Sequence, residues 1–157
     1  MQEHKPKTKQ SKAIGKLETG RLPPQAPDLE DAVLGACMLE SHALPIVSTI
    51  LKPESFYKDI NFHIYTAIKQ VAARSEPVDI MTVTEELKRI GKLQVIGGAY
   101  YITTLTSRVA SSANVEFHAR IIQQKYIARE LIRIGTEMAT SGYDEGADIF
   151  DIIDESK

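Results

Sequence analysis

Apolar side chains recur every three or four residues along most of the chain, the spacing of one face of an α-helix. The first stripe follows Asp28, a residue type that favours the N-cap, and comprises Leu29, Ala32, Val33, Ala36, Cys37 and Leu39. Glu30 and Asp31 lie in its first turn, where the helix dipole favours negative charge. The same spacing predicts further helices over 43–51, 61–74, 83–90, 99–106, 115–140 and around 149–153. No two segments alternate as paired strands do, so the pattern predicts an all-α fold.

Capping residues bound these predicted helices. Asp79 or Thr82 is the predicted N-cap of the helix over 83–90, and Thr82 with Glu85 matches a capping box. Gly91 follows the same helix and is predicted to end it in the left-handed conformation, which glycine adopts without steric cost.

The predicted helix over 115–140 is longer than the rest of the fold is wide. At 1.5 Å per residue it spans about 39 Å, whereas a small domain is about 30 Å across. Its first half carries apolar residues that can pack on a helical head, namely Val115, Ala119, Ile122 and Tyr126. Its second half carries an apolar side beyond the reach of that head, formed by Leu131, Ile134, Gly135 and Met138. The sequence therefore predicts that the second half projects.

The projecting half needs a cover for its apolar side. The last helix can turn back on it and form a helical hairpin, with Ile149, Phe150, Ile152 and Ile153. A hairpin of two helices buries too little apolar surface to be rigid alone, so a second copy of the chain is the expected cover. The candidate subunit or partner interface consists of Leu131, Ile134, Met138, Phe150 and Ile153. The alternative is that the long helix packs on its own head and these residues are core.

Charge is unevenly distributed along the chain. Residues 1–27 carry six basic and two acidic residues, a net charge of +4, and the remainder carries 13 basic and 19 acidic residues, a net charge of −6. The first segment has no aromatic residue and ends in the proline-rich sequence PPQAP, so it is predicted as a disordered basic tail over 1–22 followed by an extended lead-in. A globular head is predicted over 23–127 and a hairpin arm over 128–157. Because a negatively charged head repels phosphate, the tail is either a solubilising segment or a weak nucleic-acid contact.

The composition is that of one ordinary soluble domain, with 157 residues, 43% of them hydrophobic and 25% charged. The chain has neither an apolar run of membrane-spanning length nor a signal peptide, so a cytoplasmic location without a membrane partner is predicted. Its single cysteine, Cys37, excludes a disulfide within the chain.

Motifs that carry catalysis are missing from the sequence. A phosphate-binding loop requires Gly-x-x-x-x-Gly-Lys-Ser/Thr, and the Gly-Lys pairs at 15–16 and 91–92 lack both the upstream glycine and the hydroxyl residue. The histidines show no zinc-ligand spacing with the single cysteine, and the acidic segment 144–155 lacks the glycine of a calcium loop. We therefore predict no catalytic, cofactor-binding or metal-binding residue, and we expect that the chain by itself is not an enzyme.

Eight blocks of sequence stand in a recognisable order. They begin with PQAPDLEDAVLGA at 24–36 and LKPESFY at 51–57, and continue with HIYTAI, PVD, TVTEEL, GGAYYI, ANVEFHARII and, at 128–132, ARELI. Together they resemble the N-terminal domain of bacterial replicative DNA helicases of the DnaB family, from about residue 22 to the end of the chain.

The resemblance implies an all-helical head with a helical hairpin, six copies of which form a collar, a trimer of dimers, above a ring of ATPase domains. It implies that hairpins of neighbouring copies pair and that the collar docks the C-terminal domain of the primase. It also implies a motor after residue 157, with ATP and magnesium as cofactors and DNA as a partner of that parent protein, and a helicase loader as a further partner. The resemblance assigns no primase-docking residue in this chain.

Two other functions are consistent with the residues alone. The chain could be a stand-alone helical adaptor that recruits partners without a motor. It could also be a weak nucleic-acid-binding module that acts through its basic tail.

Overall fold

A computed structural model describes residues 21–109, 111–144 and 149–155. These residues form α-helices and one short 3-10 turn, without a strand in the described ranges. The elements are α1 Pro27–Leu39, α2 Ala43–Ile50, a 3-10 turn Pro53–Ser55, α3 Asp59–Ala73, α4 Ile80–Arg89, α5 Gly98–Ser107, α6 Val115–Gly142 and α7 Ile149–Glu155. The predicted all-α fold is confirmed. The predicted tail over 1–22 lies outside the described residues except for its last two positions.

Helices α1, α3 and α4 begin two or three residues before their predicted starts, and of the two N-caps predicted for α4 Asp79 is confirmed. Helix α1 begins at Pro27, and its N-cap is Ala26 rather than Asp28, because proline has no N–H to satisfy at the first helical position. Helix α4 begins at Ile80 with Asp79 as its N-cap. The Asp79 carboxylate accepts a hydrogen bond from the Thr82 backbone N–H at 2.8 Å, and the Asp79 N–H donates to the Thr82 hydroxyl at 3.0 Å. The capping box therefore joins Asp79 to Thr82 instead of Thr82 to Glu85.

Helix α1 lies at the centre of the head. It packs against α2, α3, α5 and α6. Its residues from Val33 to Met38 are all buried, so apolar side chains surround the helix axis rather than forming one stripe. Gly35 permits the close approach to α5, because a Cβ at this position would lie 2.5 Å from the Leu105 carbonyl oxygen. Burial of this helix on several sides contributes to the hydrophobic stabilisation of the head.

Helix α6 begins in the head and ends outside it. Val115, Ala119 and Ile122 are buried, whereas no residue over 123–142 is. Its 28 residues span about 42 Å at 1.5 Å per residue. Ion pairs lie along its surface, with Arg120 paired to Glu116 at 2.8 Å and Arg133 paired to Glu130 at 2.8 Å and to Glu137 at 2.9 Å. Helix α7 contacts α6, and their pairing as a hairpin arm stays a prediction.

Candidate interface on the arm

The distal part of α6 exposes an apolar side. Leu131 is 66% exposed, Met138 is 44% exposed and Ile134 is half-buried. Ile127, which is 49% exposed, continues the same side, because the steps of four, three and four residues from 127 to 138 keep one helix face. Ile132, also exposed, lies beside this stripe. The three candidate residues predicted on this helix therefore lie outside the buried core.

Helix α7 places the other two candidate residues on the same arm. Phe150 is 81% exposed and Ile153 is 47% exposed. The side chains of Ile149 and Ile152, predicted as part of the apolar face of this helix, lie outside the described ones. The five candidate residues therefore lie on two helices that contact each other. Their contact with a second copy or a partner stays a prediction.

Arg129 joins the base of the arm to the head. One of its Nη atoms donates a hydrogen bond to the Pro24 carbonyl oxygen at 2.7 Å, and the other donates to the Ser55 carbonyl oxygen at 2.9 Å. The guanidinium carbon lies 5.3 Å from the ring centre of Tyr57 and 5.8 Å from that of Tyr126, distances at which a cation is attracted by an aromatic face. Three separate segments of chain therefore meet at this side chain.

Two neighbouring contacts reinforce this junction. Lys52 Nζ lies 5.2 Å from the ring centre of Tyr126, and the Ser55 hydroxyl donates to Gln123 Oε1 at 3.3 Å. The Ser55 hydroxyl also accepts a hydrogen bond from the Lys52 N–H at 3.1 Å, within the 3-10 turn. The bond to Gln123 holds this turn against α6. Sequence reasoning missed the whole junction, because Pro24 is 105 residues from Arg129 and no local pattern signals such a contact.

A buried carboxylate lies behind the junction. Glu30 is 1% exposed and accepts hydrogen bonds from the N–H groups of Tyr57 at 2.9 Å and Lys58 at 3.3 Å, and from the Asn61 amide at 3.2 Å. Burial raises the pKa of Glu30, and these hydrogen bonds with the nearby charge of Arg129 oppose that rise. From sequence Glu30 is only an acid that suits the helix dipole, whereas in the structure it holds the segment after the 3-10 turn against α1.

Asp31 occupies a similar position one residue along. It is 5% exposed and pairs with Lys58 Nζ at 3.1 Å and with an Arg108 nitrogen at 3.5 Å. The Lys58 ammonium also donates to the Tyr101 hydroxyl at 2.8 Å. These contacts join α1 to the residue before α3 and to both α5 and the residue after it.

A third buried acid lies on the other side of the head, next to a shallow depression. Glu86 is 2% exposed and pairs with Arg74 at 2.8 Å and with Arg89. Hydrogen bonds from Arg89 and Arg74 hold the pKa of Glu86 at about 2. Met81 is exposed at this depression. Around it Arg74 pairs with Glu76 and Glu86, and Arg89 pairs with Glu86. Such an arrangement stabilises α4 but contains no nucleophile beside a general base.

The described residues offer little other chemistry. Among them no group of three or more His, Cys, Asp or Glu side chains is arranged to hold a metal ion. Cys37 is buried, and burial raises its pKa to about 12, so its thiol is not poised as a nucleophile. The helices in the described ranges are too short or too polar to cross a membrane.

Comparison with known proteins agrees with this architecture. Residues 22–124 match the family model described as the DnaB-like helicase N terminal domain. The replicative DNA helicase DnaB of Rhodothermus marinus is 46% identical over 138 residues, which cover 88% of this chain and 15% of that protein. The replicative DNA helicase DnaB of Geobacillus stearothermophilus is 43% identical over 143 residues, covering 91% of this chain and 32% of that protein. The chain thus spans less than a third of the length of these relatives.

The fold is also found among solved structures. The crystal structure of the N-terminal domain of DnaB helicase from Mycobacterium tuberculosis superposes with a TM-score of 0.81 at 39% identity, covering 86% of this chain and 95% of that one. A DnaB-like replicative helicase, solved in a study of its interactions with primase, superposes with a TM-score of 0.67 at 24% identity over 84% of this chain and 32% of that one. With the family model matched over most of the head, this chain belongs to the family of DnaB-like helicase N-terminal domains.

Proposed function

We propose that this chain is the N-terminal collar domain of an ATP-dependent replicative DNA helicase, and that it mediates hexamer assembly as a trimer of dimers and docks primase. The observation that carries the proposal is the arm, which exposes an apolar stripe on a chain of the DnaB-like helicase N-terminal family. Exposed apolar surface of this kind is typical of an interaction site. The contact residues would be Leu131, Ile134, Met138, Phe150 and Ile153.

The motor belongs to the proposal as well. The relatives from Rhodothermus marinus and Geobacillus stearothermophilus are named replicative DNA helicases, and this chain spans only a small part of each. We propose that the parent protein has an ATPase domain after residue 157, that this domain uses ATP and magnesium and holds the DNA, and that the whole acts in the cytoplasm with a loader. A stand-alone adaptor would lack that domain, so reading the coding sequence beyond residue 157 decides between the two.

Self-association of the chain tests the assembly role. Met138→Glu places a charge in the apolar stripe and is expected to raise the dissociation constant of the dimer by roughly tenfold or more, the size typical of an important interface residue. Sedimentation velocity over a range of concentrations measures it. Met81→Glu is the matched control, because Met81 is equally a methionine and is 78% exposed, but lies on the head.

Two results would contradict the assembly role. One is a wild-type chain that stays monomeric at the highest concentration reached. The other is equal weakening of the dimer by Met138→Glu and Met81→Glu, which would point to a general effect of added charge rather than to a contact on the arm.

Primase docking is tested separately. A solved DnaB-like helicase has been described with its interactions with primase, which supports the same partner class for this chain. The isolated C-terminal domain of the cognate primase is expected to bind the dimeric chain in isothermal titration calorimetry, with an affinity that falls when Met138→Glu separates the dimer. No heat of binding to either form would contradict docking but leave self-association standing.

A further inference from the structure

The side chain of Arg129 stands where the arm leaves the head. The last buried residue of α6 is Ile122, and no residue over 123–142 is buried, so contacts beyond Ile122 that hold the helix to the head are made by half-buried polar and aromatic side chains. Arg129 is two turns beyond Ile122 and is half-buried against the head. Arg133, one turn farther on, pairs with Glu130 and Glu137 of its own helix.

The hydrogen bonds of Arg129 reach two segments that are distant in sequence. Pro24 belongs to the extended lead-in before α1, and Ser55 ends the 3-10 turn before α3. Both acceptors are main-chain carbonyl oxygens, and that of Ser55 belongs to the 3-10 turn. A guanidinium that donates to two fixed acceptors has one orientation, because its donors lie in a rigid plane.

Aromatic rings restrict the same guanidinium further. It lies between the faces of Tyr57 and Tyr126, and the N–H of Tyr57 donates to the buried carboxylate of Glu30. Arg129 therefore contacts Tyr57, and Tyr57 is bound to Glu30, the α1 residue that also accepts a hydrogen bond from Asn61 of α3. Rotation of the arm about its base would break both hydrogen bonds and the contact with Tyr57, whereas the contact with Tyr126, on the same helix as Arg129, would move with the arm.

We infer that Arg129 is the positioning residue that sets the angle of the arm to the head, with the lead-in over 21–26 acting through the Pro24 carbonyl as a strap. The inference rests on the proposed function for its purpose, since a fixed angle presents the arm to a second copy. The tip of α6 lies about 20 Å beyond Arg129. A tilt of about 10° there moves the tip by roughly 3 Å, which is enough to lose close-packed contact.

Distance measurements between spin labels test the arm angle directly. Lys88→Cys on α4 and Thr140→Cys on the arm provide two exposed labelling sites in the full chain, and the native Cys37 is buried and unreactive. A large excess of unlabelled chain keeps the measured distances within one copy. In this background, Arg129→Lys keeps the charge but replaces the two Nη donors of the rigid planar fork by a single ammonium nitrogen, and Arg129→Met keeps an apolar stem but loses every donor.

We expect both variants to broaden or shift the head-to-arm distance distribution by about 3 Å or more, as the lever length implies. Arg120→Lys is the matched control, because Arg120 lies on the same helix and pairs with Glu116 across one turn. The control should give the wild-type distribution. The thermal midpoint of the head, followed by circular dichroism, should stay close to wild type for Arg129→Lys.

An unchanged distribution in Arg129→Lys and Arg129→Met would overturn the inference. The inference would also be overturned if both variants changed the distances and greatly lowered the thermal midpoint, since Arg129 would then hold the head together rather than orient the arm. Sedimentation of the same samples separates the two proposals. A loosened arm in a chain that never self-associates would keep Arg129 as the positioning residue and contradict the assembly role.

Discussion

At the scale of single residues, Ser75 is a place where stability can be gained. It follows α3 with φ +57°, in the left-handed region, and its N–H donates to the Ala72 carbonyl oxygen at 2.9 Å. A side chain with a Cβ is strained in this region, whereas glycine is not. Ser75→Gly is therefore expected to raise the free energy of unfolding by about 0.5–1 kcal/mol, after the extra entropy of glycine in the unfolded chain is deducted.

Urea unfolding followed by circular dichroism checks the Ser75 prediction through the midpoint at an unchanged slope. Ser75→Ala is the control, because alanine keeps the Cβ and the strain and should give no gain. If glycine and alanine shift the midpoint equally, the conformation of residue 75 is not what limits stability there.

At the scale of elements, apolar spacing was sufficient to predict the helices but not the way in which each begins. Helices α2, α5 and α6 begin at or within a residue of their predicted starts, because the spacing and the glycine pair at the start of α5 are local signals. Helices α1, α3 and α4 begin two or three residues early, since Ala26 before Pro27 is the N-cap of α1 in place of Asp28, and Asp79 rather than Thr82 is the N-cap of α4. The projecting half of α6 was predicted from its length alone, since a helix longer than the head must leave it.

At the scale of the whole molecule, contacts between distant segments are what the sequence could not reveal. Arg129 looks like one more charged residue on an exposed helix, and Pro24 looks like part of a linker, yet their contact fixes the base of the arm. Glu30 and Asp31 look like surface acids near a helix start, but they are buried because cations and amides of α3 and α5 surround them. Burial of an acid depends on partners that only the fold brings together.

The distribution of charge over the molecule predicts where any affinity for DNA would lie. Residues 1–21 contain six basic and two acidic residues, whereas the chain from residue 28 onward has a net charge of −6. Deleting residues 1–21 is therefore expected to abolish binding of this chain to a single-stranded oligonucleotide in fluorescence anisotropy. Because each neutralised phosphate of a single strand contributes about 0.7 to the salt dependence, six cations limit the slope of log K against log salt to about −4.

A steeper slope, or binding that survives the deletion, would require a basic face on the head or the arm and would contradict this prediction. The deleted chain keeps the whole arm, so its unchanged sedimentation would separate the tail from assembly.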